Sequence, residues 1–316
     1  MNLLQRALEL AEHGRGTTHP NPVVGAVVVR DGDVVGEGWH ERKGEAHAEA
    51  RALAAAGEQA RRSTLYVTLE PCTNWGSTPP CAVAVIEAGV RRVVIGARDP
   101  NPEAAGGVEQ LLEAGIEVEL AQGELAFRAR QQNEAWLTWM AKGRPFVTYK
   151  AAVTLEGRMT LPGSPWISGE TSRRLVHELR AASDAVAVGM ETARVDYPQL
   201  TARDVEAVRQ PRRLVFGRGP VPEGSELELV TGQLPEELAR LAGEGVQSLL
   251  LEGGSRLATS FLRQGLIDKL VVFVAPVLGG AGPTLFGELE EPVPLQRLES
   301  RRVGEDVLLA AYVNEP

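Results

Sequence analysis

The two cysteines of this chain, Cys72 and Cys81, flank a proline-rich turn and stand downstream of a His47-Ala48-Glu49 motif. This constellation constrains the fold more than any other feature, because one site must gather side chains from separate segments. His47, Cys72 and Cys81 are ligands of the kind zinc prefers. Structural zinc sites usually close with four protein ligands, whereas catalytic ones keep three and leave a position for water. The metal would lower the pKa of that water toward ~7. Glu49, two residues from the histidine, would then shuttle protons and not bind metal. The competing readings are two buried thiols, or a disulfide in an exported chain. His40 would be a fourth ligand of a structural site, but a closed site leaves Glu49 without a role.

Localisation and charge narrow the field. The first residues, MNLLQRALELAEH, carry charges and lack the apolar core of an export signal. No stretch approaches the roughly 18 apolar residues of a membrane helix. A cytoplasmic protein is expected, in which paired cysteines favour metal over a disulfide. At 316 residues and 43% hydrophobic content, two domains with ample cores are expected. The formal charge of −9 argues against a nucleic-acid surface. A small-molecule substrate is favoured, with no nucleic acid and no membrane as partner, in a homo-oligomer.

The first half alternates helix and strand signals. Helical spacing covers Asn2 to His13. Val23 to Val29 and Val34 to Trp39 read as a hairpin about Asp31-Gly32-Asp33. Ala46 to Ala56 reads as a helix closed by Gly57, and Thr64 to Leu69 as a strand delivering Glu70-Pro71-Cys72. Thr78-Pro79-Pro80-Cys81 reads as an N-cap followed by a helix running to Gly89. Cys81 then falls in a first helical turn, where backbone N–H groups favour a thiolate. Positions two apart do not share a helix face, so His47 and Glu49 must reach the site from a helix end. A strand from Arg92 to Ala97, a helix from about Glu103 to Ala114 and a strand from Ile116 to Leu120 complete an α/β pattern.

One long helix is expected from Gly123 to Lys142, ending at Gly143-Arg144-Pro145. That break divides the chain into domains 1–144 and 145–316. Beyond it, strands are expected at Phe146–Val153, Asp184–Val188, Arg213–Phe216, Gln247–Leu251, Lys269–Val274 and Asp306–Val313. Helices are expected at Gly169–Ala181 and Ser255–Gln264, with a loop from Gly217 to Gly224. Strand, then Gly253-Gly254-Ser255, then helix is a physical phosphate cradle, though any tight turn of this kind uses glycine. No G-x-G-x-x-G fingerprint supports a Rossmann domain.

Several motifs together, THPNPVVGAVVV, GEGWHERKGEAHAEARAL, VTLEPCTNWGSTPPC and GARDPNP, resemble the bifunctional riboflavin-biosynthesis deaminase/reductase family. KAAVTLEGRM, PWISGE, VHELRAASDAVAVG, DYPQLTAR and LLLEGGSRL continue the resemblance, which covers nearly the whole chain. It implies an N-terminal cytidine-deaminase-like α/β/α domain and a C-terminal dihydrofolate-reductase-like α/β domain. The first would be a zinc-dependent aminohydrolase removing the 2-amino group of 2,5-diamino-6-(5-phosphoribosylamino)pyrimidin-4(3H)-one. The second would use NADPH to reduce the ribosyl group of the resulting 5-amino-6-(5-phosphoribosylamino)uracil to ribityl.

By motif, the resemblance gives zinc to His47, Cys72 and Cys81, and proton transfer to Glu49. It sets Asn21, His40, Asp99 and Asn101 at the deaminase substrate. For Asn21 and Asn101 the competing reading is turn chemistry beside proline. In the second half, Ser164, Arg180, Leu200, Arg203 and Glu252 match substrate positions, and Val153, Trp166, Thr192, Asp196, Gly254, Ser255 and Arg256 match cofactor positions. Arg180 also reads as a solvated helix arginine, and Trp166 as a core anchor. The chain departs from the family at Asn74, usually histidine, and at Ser77, usually lysine or arginine. Milder departures are Glu156 for aspartate and Gly217 for aspartate. The alternatives to two reactions are a single-activity deaminase of another base or nucleotide with an inert C-terminal domain, and a reductase carrying a structural zinc.

Overall fold

The computed structural model describes residues 2–75 and 79–316. The chain forms two compact units, Met1–Lys142 with Pro316, and Gly143–Glu315. Both are built from sheets with helices, as an α/β chain should be.

In the first unit, α1 (Leu3–Ala11) starts after Asn2, whose side-chain oxygen accepts the N–H groups of Leu4 and Gln5 at 3.1 and 3.3 Å. Such a cap contributes about 1 kcal/mol. β1 (Gly25–Arg30) and β2 (Asp33–Trp39) form the expected hairpin, turning on positive φ at Asp31 and Gly32. Then come α2 (Ala48–Ala56), β3 (Thr64–Val67), α3 (Cys81–Glu87), β4 (Arg92–Ile95), α4 (Gly107–Glu113), β5 (Glu117–Leu120), α5 (Gly123–Gln132) and α6 (Glu134–Lys142). The sheet order is β2-β1-β3-β4-β5, with β3, β4 and β5 parallel. Val28, Leu65, Val67, Val93 and Ile95 of the sheet pack against Ala48, Ala52 and Val85 of the helices. The α2 backbone lies directly on β2, where Gly36 and Gly38 carry no side chain. A Cβ there would stand 2.2 Å from Ala52 O and 2.6 Å from Ala48 O.

Three local expectations change. The helix from Gly123 to Lys142 is two helices, broken at Asn133. Buried Asn133 accepts Val23 N–H and donates to Val23 O, each at 2.9 Å. Its amide thus pairs with a main chain that has no strand partner there, and that demand outweighs helix continuation. The helix expected from Glu103 begins only at Gly107, because Asn101 and the positive φ of Gly106 hold a loop first. The residue capping α3 is Pro80, and Thr78 lies outside the described residues.

In the second unit the elements are β6 (Phe146–Thr154), β7 (Arg158–Thr160), α7 (Glu170–Ala181), β8 (Ala185–Gly189), α8 (Met190–Asp196), β9 (Arg212–Phe216) and β10 (Glu228–Val230). They continue with α9 (Leu234–Gly243), β11 (Ser248–Leu251), α10 (Ser255–Arg263), β12 (Lys269–Ala275), β13 (Ala281–Thr284), β14 (Gln296–Val303) and β15 (Asp306–Tyr312). The large sheet runs β10-β9-β8-β11-β6-β12-β15-β14, and β13 pairs with β7 in a small one. From β10 to β12 all neighbours are parallel, while β15 is antiparallel to both β12 and β14. The central strands β8 and β11 are nearly continuous apolar runs, as strands covered on both faces require. Arg144 forks onto fully buried Asp268 with both bonds at 2.7 Å, and Asp268 also accepts Val147 N–H. That pair fixes the entry of the chain into β6.

Candidate active sites in the two units

The first site forms where β3 ends and α2 and α3 begin. His47 is the N-cap of α2, with extended φ and ψ of −70° and 165°. A cap residue is not helical, so His47 and Glu49 escape the rule that separates positions two apart on a helix. Cys72 follows β3, and Cys81 is the first residue of α3. The Cys81 N–H donates to Cys72 Sγ at 3.5 Å, and Ala82 N–H donates to Cys72 O at 3.1 Å.

These residues fit a zinc ion. The donor atoms of His47, Cys72 and Cys81 lie within 4.8 Å of one another, and both thiols are free. His47 Nδ1 is 3.2 Å from Cys81 Sγ and 3.6 Å from Cys72 Sγ. A tetrahedral ion with Zn–S of about 2.3 Å and Zn–N of about 2.05 Å sets such atoms about 3.5 Å apart. The Cys72 thiol is pushed down to about 4, chiefly by the hydrogen bond from Cys81 and then by His47, while Cys81 is pushed up by the proton it shares and by burial. His47 is raised by its bond to Cys72. Donors crowded in this way compete for protons that a dication would displace. His40 is not in the cluster. Its ring meets His47 edge-on at 5.2 Å, and its buried Nε2 has no hydrogen-bond partner among the described residues. Burial first, then His47, lowers its pKa.

Glu49 is 3% exposed, and burial raises its carboxyl to about 7. Asp99 is raised to about 6, again mainly by burial, and its Oδ1 accepts Asn101 N–H at 2.8 Å. Asn101 spends its own side-chain oxygen on Glu103 N–H at 3.1 Å, a turn contact. Asn21 sits before β1, with its N–H on Thr18 O. No hydrogen bond joins it to the cluster among the described residues. Asn74 is exposed, beside a Trp75 that is 77% exposed, and Ser77 lies outside the described residues. One residue that sequence reading passed over is Glu70. Its buried carboxylate accepts the N–H groups of Asp99, Gly106 and Val108 at 3.2, 3.2 and 3.0 Å, which ties the Asp99–Asn101 loop to the strand end next to Cys72. The signal was present, as an acidic residue directly after an apolar strand seldom lacks partners.

The second site lies in the second unit, around Glu252 after β11. Arg180 on α7 forks onto Glu252 at 2.6 and 3.0 Å, and Lys150 on β6 reaches it at 3.4 Å. Burial works to raise the Glu252 carboxyl, but Lys150 and Arg180 outweigh it and hold the pKa below 4.5. Arg180 is therefore no solvated helix arginine. Lys150 was missed because a lone lysine within an apolar strand carries no spacing signal. Ser164 Oγ accepts Trp166 N–H at 3.1 Å and donates to Trp166 O at 2.7 Å. Trp166 is 59% exposed under the Arg173 guanidinium, 5.2 Å from its ring, and so is not a core anchor. Leu200 is buried and Arg203 exposed. Val153 packs in the core.

Gly254 is the N-cap of α10, and no side chain caps that helix. A Cβ on Gly254 would approach Thr192 Oγ1 to 3.5 Å, so the α8 and α10 starts adjoin. Ser255 opens the helix, Arg256 is exposed and paired with Glu191 at 3.1 Å, and Asp196 ends α8. Uncapped N–H groups behind glycine suit a cofactor phosphate. Gly217 departs from aspartate for a local reason, since its φ is 150° and a Cβ would stand 2.6 Å from Met190 Cβ. Glu156, the other departure, keeps a carboxylate on the N–H groups of Gly279 and Gly280.

Known proteins share this organisation. Residues 145–309 match the family model described as the RibD C-terminal domain. Residues 1–97 match that of the cytidine and deoxycytidylate deaminase zinc-binding region. The riboflavin biosynthesis protein RibD of Aquifex aeolicus is 40% identical across 98% of this chain and 97% of its own length. The chain belongs to the RibD family. Its Escherichia coli member is 38% identical, covering 97% of each chain. Among solved structures, Acinetobacter baumannii RibD matches with a TM-score of 0.84 at 37% identity, covering 98% of this chain and 97% of that one. A deaminase/reductase from Thermotoga maritima matches with a TM-score of 0.82 at 34% identity, with the same coverage. As a RibD, the protein is a bifunctional enzyme of riboflavin biosynthesis, a hydrolase and an oxidoreductase acting on a small-molecule pyrimidine. Its deaminase depends on zinc and its reductase on NADPH. No helix among the described residues is long and apolar enough to cross a membrane.

Proposed function

We propose that residues 1–144 deaminate 2,5-diamino-6-(5-phosphoribosylamino)pyrimidin-4(3H)-one and that residues 145–316 reduce the product. The observation that carries the first half is a His47–Cys72–Cys81 donor set beside the buried Glu49, two residues from His47. Zinc, when bound there, supplies the Lewis acidity that activates a water molecule. Glu49 takes the proton of the attacking water and passes it to the ring nitrogen. It then takes the proton of the new C2 hydroxyl and passes it to the leaving amine, so that C2 becomes a carbonyl and ammonia departs. A pKa near neutrality lets one carboxyl do both. Asp99, raised to about 6, offers either protonation state to the amide edge of the pyrimidine. His40, Asn21 and Asn101 complete the substrate contacts.

In the reductase, NADPH supplies a hydride to the sugar C1′ in its ring-opened form. Gly254, Ser255 and Arg256 hold its phosphates, with Thr192, Asp196, Trp166 and the Val153 backbone along the rest. Lys150, 3.4 Å from Glu252, is the proton donor to the sugar oxygen as the ring opens. Arg180, Ser164 and the backbone at Leu200 frame the substrate, and Arg203 anchors its phosphate as a planar, permanent cation. Single-activity deamination is not favoured, because the Lys150–Arg180–Glu252 network is intact and the reductase family model spans the second half. A structural zinc would need a fourth protein ligand, and His40 stands outside the cluster.

The free thiols suit a cytoplasmic enzyme. A homo-oligomer is supported by β14, an edge strand exposed on both faces with Leu298 66% exposed; light scattering tests it. For the two reactions, the test is removal of metal by a chelator with both products assayed. Deamination should vanish and return on adding zinc, while NADPH-dependent reduction of the deaminated ribotide continues. Persistent deamination without metal would overturn the reading.

A further inference from the structure

The segment from Tyr197 to Arg203, after α8, is held in a costly shape. Tyr197 and Leu200 adopt positive φ of 44° and 53°, which costs a non-glycine residue about 1 kcal/mol or more. Leu200 is 1% exposed, so its side chain is locked in the core. Beyond it, side chains from outside the loop take up one backbone group after another. Thr201 O accepts from the Arg180 guanidinium at 3.2 Å. Ala202 N–H donates to Gln210 Oε1 and Ala202 O accepts from Gln210 Nε2, both at 2.9 Å. Arg203 N–H donates to His177 Nδ1 at 3.2 Å.

His177 Nδ1 also lies 3.1 Å from Thr201 O, but one ring nitrogen cannot accept and donate at once. Arg180 already serves that carbonyl, whereas Arg203 N–H meets no other acceptor among the described residues. The arrangement that satisfies every group leaves Nδ1 bare and puts the proton on Nε2. Burial first, then Arg180, favours this neutral ring, with Arg203 acting in the same direction and Thr201 O and Glu252 opposing.

We propose that His177 and Gln210 are positioning residues of the reductase, which fix the Thr201–Arg203 backbone so that Arg203 meets the ribotide phosphate in one place. Neither contacts the reacting atoms. The inference rests on Arg203 as the phosphate anchor.

The test uses the full chain. His177→Phe keeps a ring but removes the acceptor, His177→Asn restores an acceptor near the Nδ1 position, and Gln210→Ala opens the second clamp. Reduction kinetics with the deaminated ribotide, NADPH affinity, deamination rate and deuterium exchange of the peptide spanning 201–203 are measured. His177→Phe and Gln210→Ala should each raise KM for the ribotide about tenfold, the loss expected of one hydrogen bond, with kcat within about twofold. Exchange at 201–203 should quicken, His177→Asn should recover most of the KM, and NADPH affinity and deamination should hold. Unchanged exchange in both clamp variants would overturn the clamp. Faster exchange with unchanged KM, while Arg203→Ala still raises KM, would show that the clamp does not position Arg203. If Arg203→Ala leaves KM unchanged, the phosphate reading itself has failed and the inference falls with it. Loss of kcat and NADPH affinity together would mark general damage and overturn the positioning role.

Discussion

Glu49 is buried and the Glu252 side chain is only 8% exposed, each at one of the proposed catalytic centres, yet their surroundings drive them in opposite directions. Among the described residues no lysine or arginine acts on Glu49, and burial lifts its carboxyl to about 7. Burial acts on Glu252 as well, but Lys150 and Arg180 hold it ionised. Desolvation that outweighs the other neighbours makes a carboxyl that holds its proton more readily, while desolvation between two cations makes a fixed anion. The first suits hydrolysis, which moves protons at every stage. The second suits hydride transfer, in which the substrate and a neighbouring ammonium must be held still.

The largest expected effect tests the first half of that contrast. Glu49→Gln should lower deamination by about 10⁴-fold, the upper range for a lost general acid–base group, while metal analysis still finds zinc. Reduction of pre-deaminated ribotide serves as the internal control and should not change. A variant retaining a tenth of wild-type deamination would show that Glu49 is not the proton carrier.

Lys150 tests the other half. Lys150→Met removes the ammonium but keeps an unbranched apolar stem on β6. Reductase kcat should fall on the order of 10²- to 10³-fold with NADPH affinity nearly unchanged. An equal loss in both quantities would place Lys150 in the cofactor site, not at the sugar.

Glu252→Gln should cost the second unit about 3 kcal/mol, because it leaves Lys150 and Arg180 partly buried without their anion. Glu252 binds its proton less readily folded than unfolded. It therefore contributes stability above pH of about 4.5, lost as pH falls through its lower folded value. Urea unfolding of wild type between pH 6 and about 3 should show that loss, and Glu252→Gln should flatten it. If the two proteins respond to acid alike, the network is not what holds Glu252 ionised.

The same contrast governs what the sequence made legible. The zinc constellation is carried by short motifs whose residue types are chemically unusual, and His47, Cys72 and Cys81 were readable as a set. The reductase site is assembled from β6, α7, the loop after α8 and the end of β11, so its ordinary residues became a site only by resemblance. Lys150 and His177 carried no local signal, since their meaning lies in partners far away in sequence. The break at Asn133 was unreadable for the same reason, being decided by Val23. α9 was overlooked despite Pro235 and two glutamates in its first turn, all standard helix-start signals. β14 was overlooked because Gln296–Val303 has no buried face to produce alternation.

The smallest effect concerns the cations that one site has and the other lacks. Lys150, Arg180 and Arg203 belong to the proposed reductase site, whereas none of the residues proposed for the deaminase site is a lysine or arginine. The ribotide presents the same phosphate to both. The family resemblance implies a lysine or arginine at position 77 and a histidine at position 74, where this chain has Ser77 and Asn74. Ser77→Arg adds the cation for a charge-assisted contact with that phosphate, whose strength solvent reduces. KM for deamination should fall roughly fivefold, with kcat little altered because the phosphate is remote from the reacting carbon. The gain should shrink as salt rises, since salt screens an ion pair that solvent reaches. Reduction kinetics should not move. A salt-independent gain would mean that the arginine acts through packing, and an unchanged KM would mean that another residue already holds the phosphate.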